Sequence, residues 1–181
     1  FFSLGAIATS PDHRLLGYSV DLAGDERFAV RVKDLDTGEI VDDAVSGVFY
    51  GLVWSLDGTA FYYTVVDEAW RPFEVRRHVL GTPSADDVVV YQDLDERFWV
   101  GIDLSTSRRY AIVGSGSKTS SEYYLLDLAD PAAVPTLIAA RRDDLEYDVD
   151  HAVIDGVDRL VIVHNGDDET GAKAIDFMVS V

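Results

Sequence analysis

A strand–turn–strand element recurs along this chain, and its spacing restricts the fold more than any other feature of the sequence. Gly5-Ala6-Ile7-Ala8-Thr9 leads through Ser10-Pro11-Asp12 into Leu15-Leu16-Gly17-Tyr18-Ser19-Val20. Tyr50-Gly51-Leu52-Val53-Trp54 leads through Ser55-Leu56-Asp57 into Ala60-Phe61-Tyr62-Tyr63-Thr64-Val65. Trp99-Val100-Gly101-Ile102-Asp103 leads through Ser105-Thr106-Ser107 into Tyr110-Ala111-Ile112-Val113. The turns start at Ser10, Ser55 and Ser105, so the intervals are 45 and 50 residues. A fourth, weaker copy follows at about the same interval, around Asp155-Gly156.

Each pair is followed by a third strand-like segment, at 28–34, 74–80, 122–128 and 172–179. The first three also have a more divergent fourth, at 39–41, 88–91 and 135–139. Phe28-Ala29-Val30-Arg31-Val32-Lys33 puts apolar and basic residues on opposite faces, the period of two of a half-buried strand. No segment sustains a helical stripe. Four strands every 45–50 residues is the spacing of β-propeller blades. A β-sandwich would show short strands and turns but needs no such repeat. The chain is therefore expected to be all-β, a partial β-propeller of about four four-stranded antiparallel blades. Their approximate bounds are 4–45, 48–94, 96–142 and 145–181, the last incomplete. The small residues Ala6, Gly51 and Gly101 are expected where innermost strands crowd the axis.

Composition narrows the function. The 181 residues carry Asp+Glu 33 against Lys+Arg 15, a formal charge of −18, which repels nucleic-acid phosphates. With 48% hydrophobic residues the chain is not a disordered acidic tail, and no apolar run approaches a membrane-spanning helix. Zero cysteines exclude disulfides, thiolate zinc sites and a thiol nucleophile. The acids are 25 Asp and only 8 Glu, a bias toward turns. The opening Phe1-Phe2-Ser3 has neither an initiating Met nor a signal-peptide pattern, so the chain reads as a fragment of a longer polypeptide.

Several ordered words resemble one family. They include Tyr18-Ser19-Val20-Asp21, Gly24-Asp25-Glu26, Val32-Lys33-Asp34-Leu35, Tyr62-Tyr63-Thr64 and Arg71-Pro72. His78-Val79-Leu80-Gly81-Thr82, Asp95-Glu96-Arg97-Phe98 and Gly114-Ser115-Gly116-Ser117-Lys118-Thr119 continue the series. Together they cover most of positions 4–128, and the likeness thins beyond about Leu145. They resemble the propeller of the oligopeptidase B (protease II) branch of the prolyl oligopeptidase family of serine peptidases. The resemblance implies a parent in which a seven-bladed propeller, of which this chain is an arc, covers an α/β-hydrolase domain carrying a Ser-Asp-His triad. It implies a cytoplasmic serine endopeptidase that cleaves short peptides after Arg or Lys, with no cofactor.

The triad of such a parent lies outside these residues, and no catalytic, cofactor-binding or metal-binding residue is expected within them. Gly17-Tyr18-Ser19-Val20-Asp21 lacks the second glycine of a nucleophile elbow, and Gly114-Ser115-Gly116-Ser117 is out of spacing. The same segment fails as a phosphate loop, because Ile112 holds the first-glycine position and no helix follows. Asp34-Leu35-Asp36-Thr37-Gly38-Glu39 is too short for a calcium loop and reads as a hairpin turn, and Gly166-Asp167-Asp168-Glu169 as a solvated loop. His13, His78, His151 and His164 fall in different blades and are assigned packing or surface roles.

Asp103, Asp148 and Asp150, on predicted innermost strands, are expected to face a central channel, and Trp70 to be an exposed contact. The expected partners are the C-terminal α/β-hydrolase domain of the parent, short basic peptides, and further copies through open blade edges. Nucleic acid and membrane are not. The function expected is gating of short basic peptides. The alternative is a stand-alone propeller scaffold without activity.

Overall fold

In the computed structural model, which describes residues 1–167 and 177–181, the alternating segments are strands joined by turns that their own side chains hold. The first group is β1 (Ser3–Thr9), β2 (Leu15–Asp21), β3 (Phe28–Asp34) and β4 (Ile40–Asp42). The second is β5 (Ser46–Trp54), β6 (Ala60–Val66), β7 (Pro72–Val79) and β8 (Val88–Gln92). The third is β9 (Trp99–Leu104), β10 (Tyr110–Gly116), β11 (Ser121–Asp127) and β12 (Thr136–Ala139). The last is β13 (Tyr147–Ile154), β14 (Val157–His164) and β15 (Met178–Ser180). Most of the third segment expected at 172–179, and Asp168 and Glu169 of the acidic loop, lie outside the described residues. A 3-10 turn at Ser84–Asp86 is the one helical element among the described residues.

The recurring turn has a common physical basis. Ser10, Ser55 and Ser105 are buried, and each side-chain oxygen accepts the amide five residues on, from Leu15 at 2.9 Å, Ala60 at 3.0 Å and Tyr110 at 3.2 Å. Ser10 and Ser55 also donate to the carboxylate two residues on, Asp12 and Asp57, both at 2.6 Å. In the third copy Ser107 takes that place. The fourth copy differs: Ile154 pairs with Val157 across a two-residue turn with φ of 52° at Asp155 and 76° at Gly156, so the β13–β14 hairpin needs no serine.

All strand pairs are antiparallel. The third sheet runs β12-β11-β10-β9 and the last β13-β14-β15. The first two groups are hydrogen-bonded into one sheet, because the start of β5 pairs with β3 through Phe28↔Val48 and Ala29↔Ser46. β5 then shifts register between Val48 and Leu52 and continues along β6. One strand therefore closes the first group at its start and opens the second at its end, a continuity that a repeat count treats as a boundary.

The strand period divides the core. β6 is buried almost throughout, and its residues alternate between two clusters. Phe61 and Tyr63 join Phe28, Val30, Val32, Leu52 and Trp54 between the first two groups. Tyr62 faces the other way and joins Val53, Val75, Val100, Ile102, Ala111 and Val113 between the second and third. Burying each such side chain contributes about 1.5–3 kcal/mol. The junction of the third group with the last is more polar: the Ser121 hydroxyl donates to the Tyr147 carbonyl at 2.6 Å and accepts its amide at 2.7 Å. At the two ends apolar residues stay exposed, Leu4 and Ile7 on β1 and Val157 and Val163 on β14.

Candidate functional site

β1, β9 and β13 each end their sheet, and β1 packs on β5 and β5 on β9, while β13 packs on β10 and β11. The first strands of the four groups thus line one axial face. Two of these strands approach closely at Gly51, where φ is +102° and a Cβ would lie 2.9 Å from the Ile102 carbonyl oxygen. Gly51→Ala is expected to cost about 2 kcal/mol through left-handed strain and displacement of β9, read as a lower denaturation midpoint. Gly101 differs from its sequence reading. A Cβ there would meet nothing within 4 Å, so it is the open floor of a cavity and not a point of crowding.

On β9, Val100 and Ile102 turn into the core while Trp99, Gly101 and Asp103 face the opening, as the period of two requires. Trp99 is 53% exposed and Tyr50 51%. Both rings are held by Phe49, at centroid distances of 6.3 Å and 4.7 Å. Beyond Asp103 stand Asp148 and Tyr123. Asp103 keeps contact with solvent, yet the protein crowded about it, and after that the Asp148 charge, raise its carboxyl above the usual range. Burial first, then Asp148, push the Tyr123 hydroxyl up to about 12.

Asp150 is placed otherwise than Asp103 and Asp148. Its carboxylate accepts the Thr106 amide at 2.9 Å and the Thr106 hydroxyl, and so ties β13 to the third repeat turn. Burial opposes its ionisation, but those bonds and the His151 amide prevail and hold it below the usual carboxylate range. Trp70 is half-buried, with the Arg27 guanidinium 4.7 Å above its ring, and Trp99 is the more exposed indole. Alternation around Gly101 was the signal that could have singled out Trp99.

The other motif residues serve the framework. Ser19 is buried and accepts the Ala6 amide at 2.7 Å, and Ser115 donates to Asp93 at 2.5 Å. Asp34 accepts the Asp36 and Thr37 amides, both at 2.9 Å, in its turn between β3 and β4. His151 meets Ser107 at 2.8 Å and His164 meets Ser180 at 3.0 Å. His78, fully buried, bridges two groups: Nδ1 lies 2.7 Å from Asp87 and Nε2 3.2 Å from Asp42. No spacing in the sequence connects Asp42 to His78, so this bridge was not legible there.

Comparison with known proteins agrees with this geometry. A sequence profile described as prolyl oligopeptidase, N-terminal beta-propeller domain, matches residues 1–177. Dipeptidyl aminopeptidase BI of Pseudoxanthomonas mexicana is 37% identical over 176 residues, which is 97% of this chain and 24% of that protein. Protease 2 of Moraxella lacunata is 35% identical over 153 residues, 83% of this chain and 22% of that protein. Among solved structures, oligopeptidase B from Leishmania major superimposes with a TM-score of 0.84 at 28% identity, over 91% of this chain and 23% of that one. The antipain-bound closed form of oligopeptidase B from Trypanosoma brucei gives 0.80 at 32% identity, with the same coverage. The chain thus spans about a quarter of the length of these relatives. On the profile match, the sequence relatives and the shared arrangement of strands, the chain belongs to the N-terminal β-propeller domain of the prolyl oligopeptidase family.

Proposed function

We propose that this chain is the propeller region of an oligopeptidase B-like serine endopeptidase, and that it gates access of short basic peptides to a catalytic domain lying outside these residues. The observation that carries the reading is the axial face, where Asp103 and Asp148 stand beside exposed aromatic rings in a chain of net charge −18. A concavity lined by one sign of charge concentrates ligands of the opposite sign. The serines with motif-like neighbours are committed to strands and turns, which is consistent with a nucleophile supplied elsewhere. In this reading the units 4–45, 48–94, 96–142 and 145–181 are successive blades, the principal partner is an α/β-hydrolase domain of the same parent chain, and the setting is cytoplasmic. The apolar ends at β1 and β14 are where the rest of the parent would cover the arc, or where separated copies would associate.

The test uses the intact parent. A fluorophosphonate probe is expected to label one serine, and short peptides containing Arg or Lys are expected to be cleaved while a long unfolded polypeptide is spared. Equal cleavage of both substrates overturns the gating. Absence of labelling overturns the peptidase and leaves a stand-alone scaffold.

A further inference from the structure

We infer that the axial face carries a subsite for a basic side chain of a short peptide, which lies over Gly101 with its stem on the Trp99 indole and its cationic head between Asp103 and Asp148. The inference rests on the peptide-gating reading above and assigns residues to it.

Three cavities of about 450, 310 and 320 Å³ adjoin along this face. The first and second share Ile102 and Asp103, and the second and third share Trp99, Gly101 and Asp103. Asp103 therefore lines all three, at the centre of one groove that crosses the inner strands. The wall changes along its length. It is aliphatic beside β1, with Ile7, Leu52 and Leu104, aromatic in the middle, and acidic beside β13.

The slot itself follows from the strand period. Trp99, Gly101 and Asp103 share one face of β9, with about 6–7 Å between successive members. The empty space above Gly101 thus has an indole on one side and a carboxylate on the other. An arginine or lysine has an apolar stem and a charged head that match this pair, and an aromatic face attracts the cation as well. Phe49, which lines the same cavity, packs edge-on against Trp99 at 6.3 Å between ring centroids and restricts the indole.

Charge selects the occupant. Among the described residues, carboxylates in turns or at strand junctions such as Asp21, which accepts three amides, and Asp93, met by Ser115 and Arg141, are satisfied internally. Asp103 is influenced by burial and then by the Asp148 charge. Asp148 accepts the Val149 amide at 2.8 Å and stands beside the Tyr123 hydroxyl, and among the described residues neither carboxylate is paired with a cation. Among the described residues lining the three cavities, Arg108 is the sole cation, and it stands only in the first. An incoming guanidinium or ammonium relieves the repulsion between the two carboxylates. An acidic or neutral side chain does not.

The experiment uses this chain without any catalytic readout, so its outcome is separable from that of the peptidase reading. A blocked tripeptide, acetyl-Ala-Arg-Ala-amide, is titrated by calorimetry against its citrulline counterpart, which keeps the shape and removes the charge. Saturable binding of the arginine peptide is expected, with the citrulline peptide weaker by about tenfold. Asp103→Asn is expected to remove a similar factor, Trp99→Leu to weaken binding about threefold to tenfold, and the exposed Asp25→Asn to change nothing. Circular dichroism checks that each variant is folded. Should Asp103→Asn unfold the chain, Asp148→Asn and the citrulline comparison still decide. Equal affinity for the two peptides, no saturable binding, or binding indifferent to Asp148→Asn with the fold intact overturns the subsite.

Discussion

Replacing His78 with alanine is expected to destabilise the fold by about 3–5 kcal/mol, as for the loss of one partner from a buried charged network. His78 is fully buried on β7 and reaches Asp42 of the first group and Asp87 of its own. Asp87 also accepts the Tyr63 hydroxyl at 2.6 Å, and Asp42 accepts the Gly81 and Ala44 amides at 2.6 and 3.0 Å. Alanine leaves two carboxylates in the interior with part of their hydrogen bonding gone. Urea denaturation checks the value, and a midpoint within a few tenths molar of the wild type would contradict it. The same site gives a pH dependence. Burial works against the Asp42 carboxylate, but the Gly81 and Ala44 amides and His78 outweigh it and hold its pKa below the usual value. A depressed folded pKa contributes stability that is present above about pH 4 and is lost as pH falls through the folded value. Acid titration of stability should show that loss, and a smaller one in His78→Ala.

Arg71→Ala is expected to cost a similar amount, about 3–5 kcal/mol, by a different route. Arg71 is 8% exposed, and its guanidinium donates to the carbonyls of Asp93, Asp95 and Phe98 at 3.0, 3.2 and 3.0 Å. Its Nε also meets Asp67 at 3.0 Å. These three carbonyls belong to the connection between β8 and β9, where a missing partner leaves backbone oxygens unsatisfied. Arg71→Lys is expected to recover little, because an ammonium group cannot spread planar donors over the same fork. The connection ends immediately before Trp99, so the variant should also alter the Trp99 environment. Unchanged stability in Arg71→Ala, or full rescue by lysine, would contradict the assignment.

The repeat was legible because its cause is local. A buried serine that caps the amide five residues on needs only a short segment, and apolar alternation needs only the strand that carries it. The family was legible for the same reason, through short words in order. The join of β3 to β5 was not, since no residue between Asp42 and Ser46 announces that the chain will pair backward before it turns forward. Nor was the His78 bridge, whose members lie 36 and 9 residues away along the chain. Gly101 shows the limit at a single residue: a small side chain on an inner strand fits crowding or emptiness equally well, and only the distance to its neighbours separates them.

By itself, then, the sequence determined an all-β chain, a blade-like period, a strongly acidic field and a family. Each of these depends on residues near one another or on a sum over the whole chain. Tertiary structure decided which of the inner-strand carboxylates line the cavity. Asp103, Asp148 and Asp150 look alike on predicted inner strands, yet Asp150 is taken up by Thr106 while Asp103 and Asp148 line a cavity. Whether a carboxylate serves the fold or faces a ligand depends on donors brought from other strands, and a strand's own pattern says nothing of them.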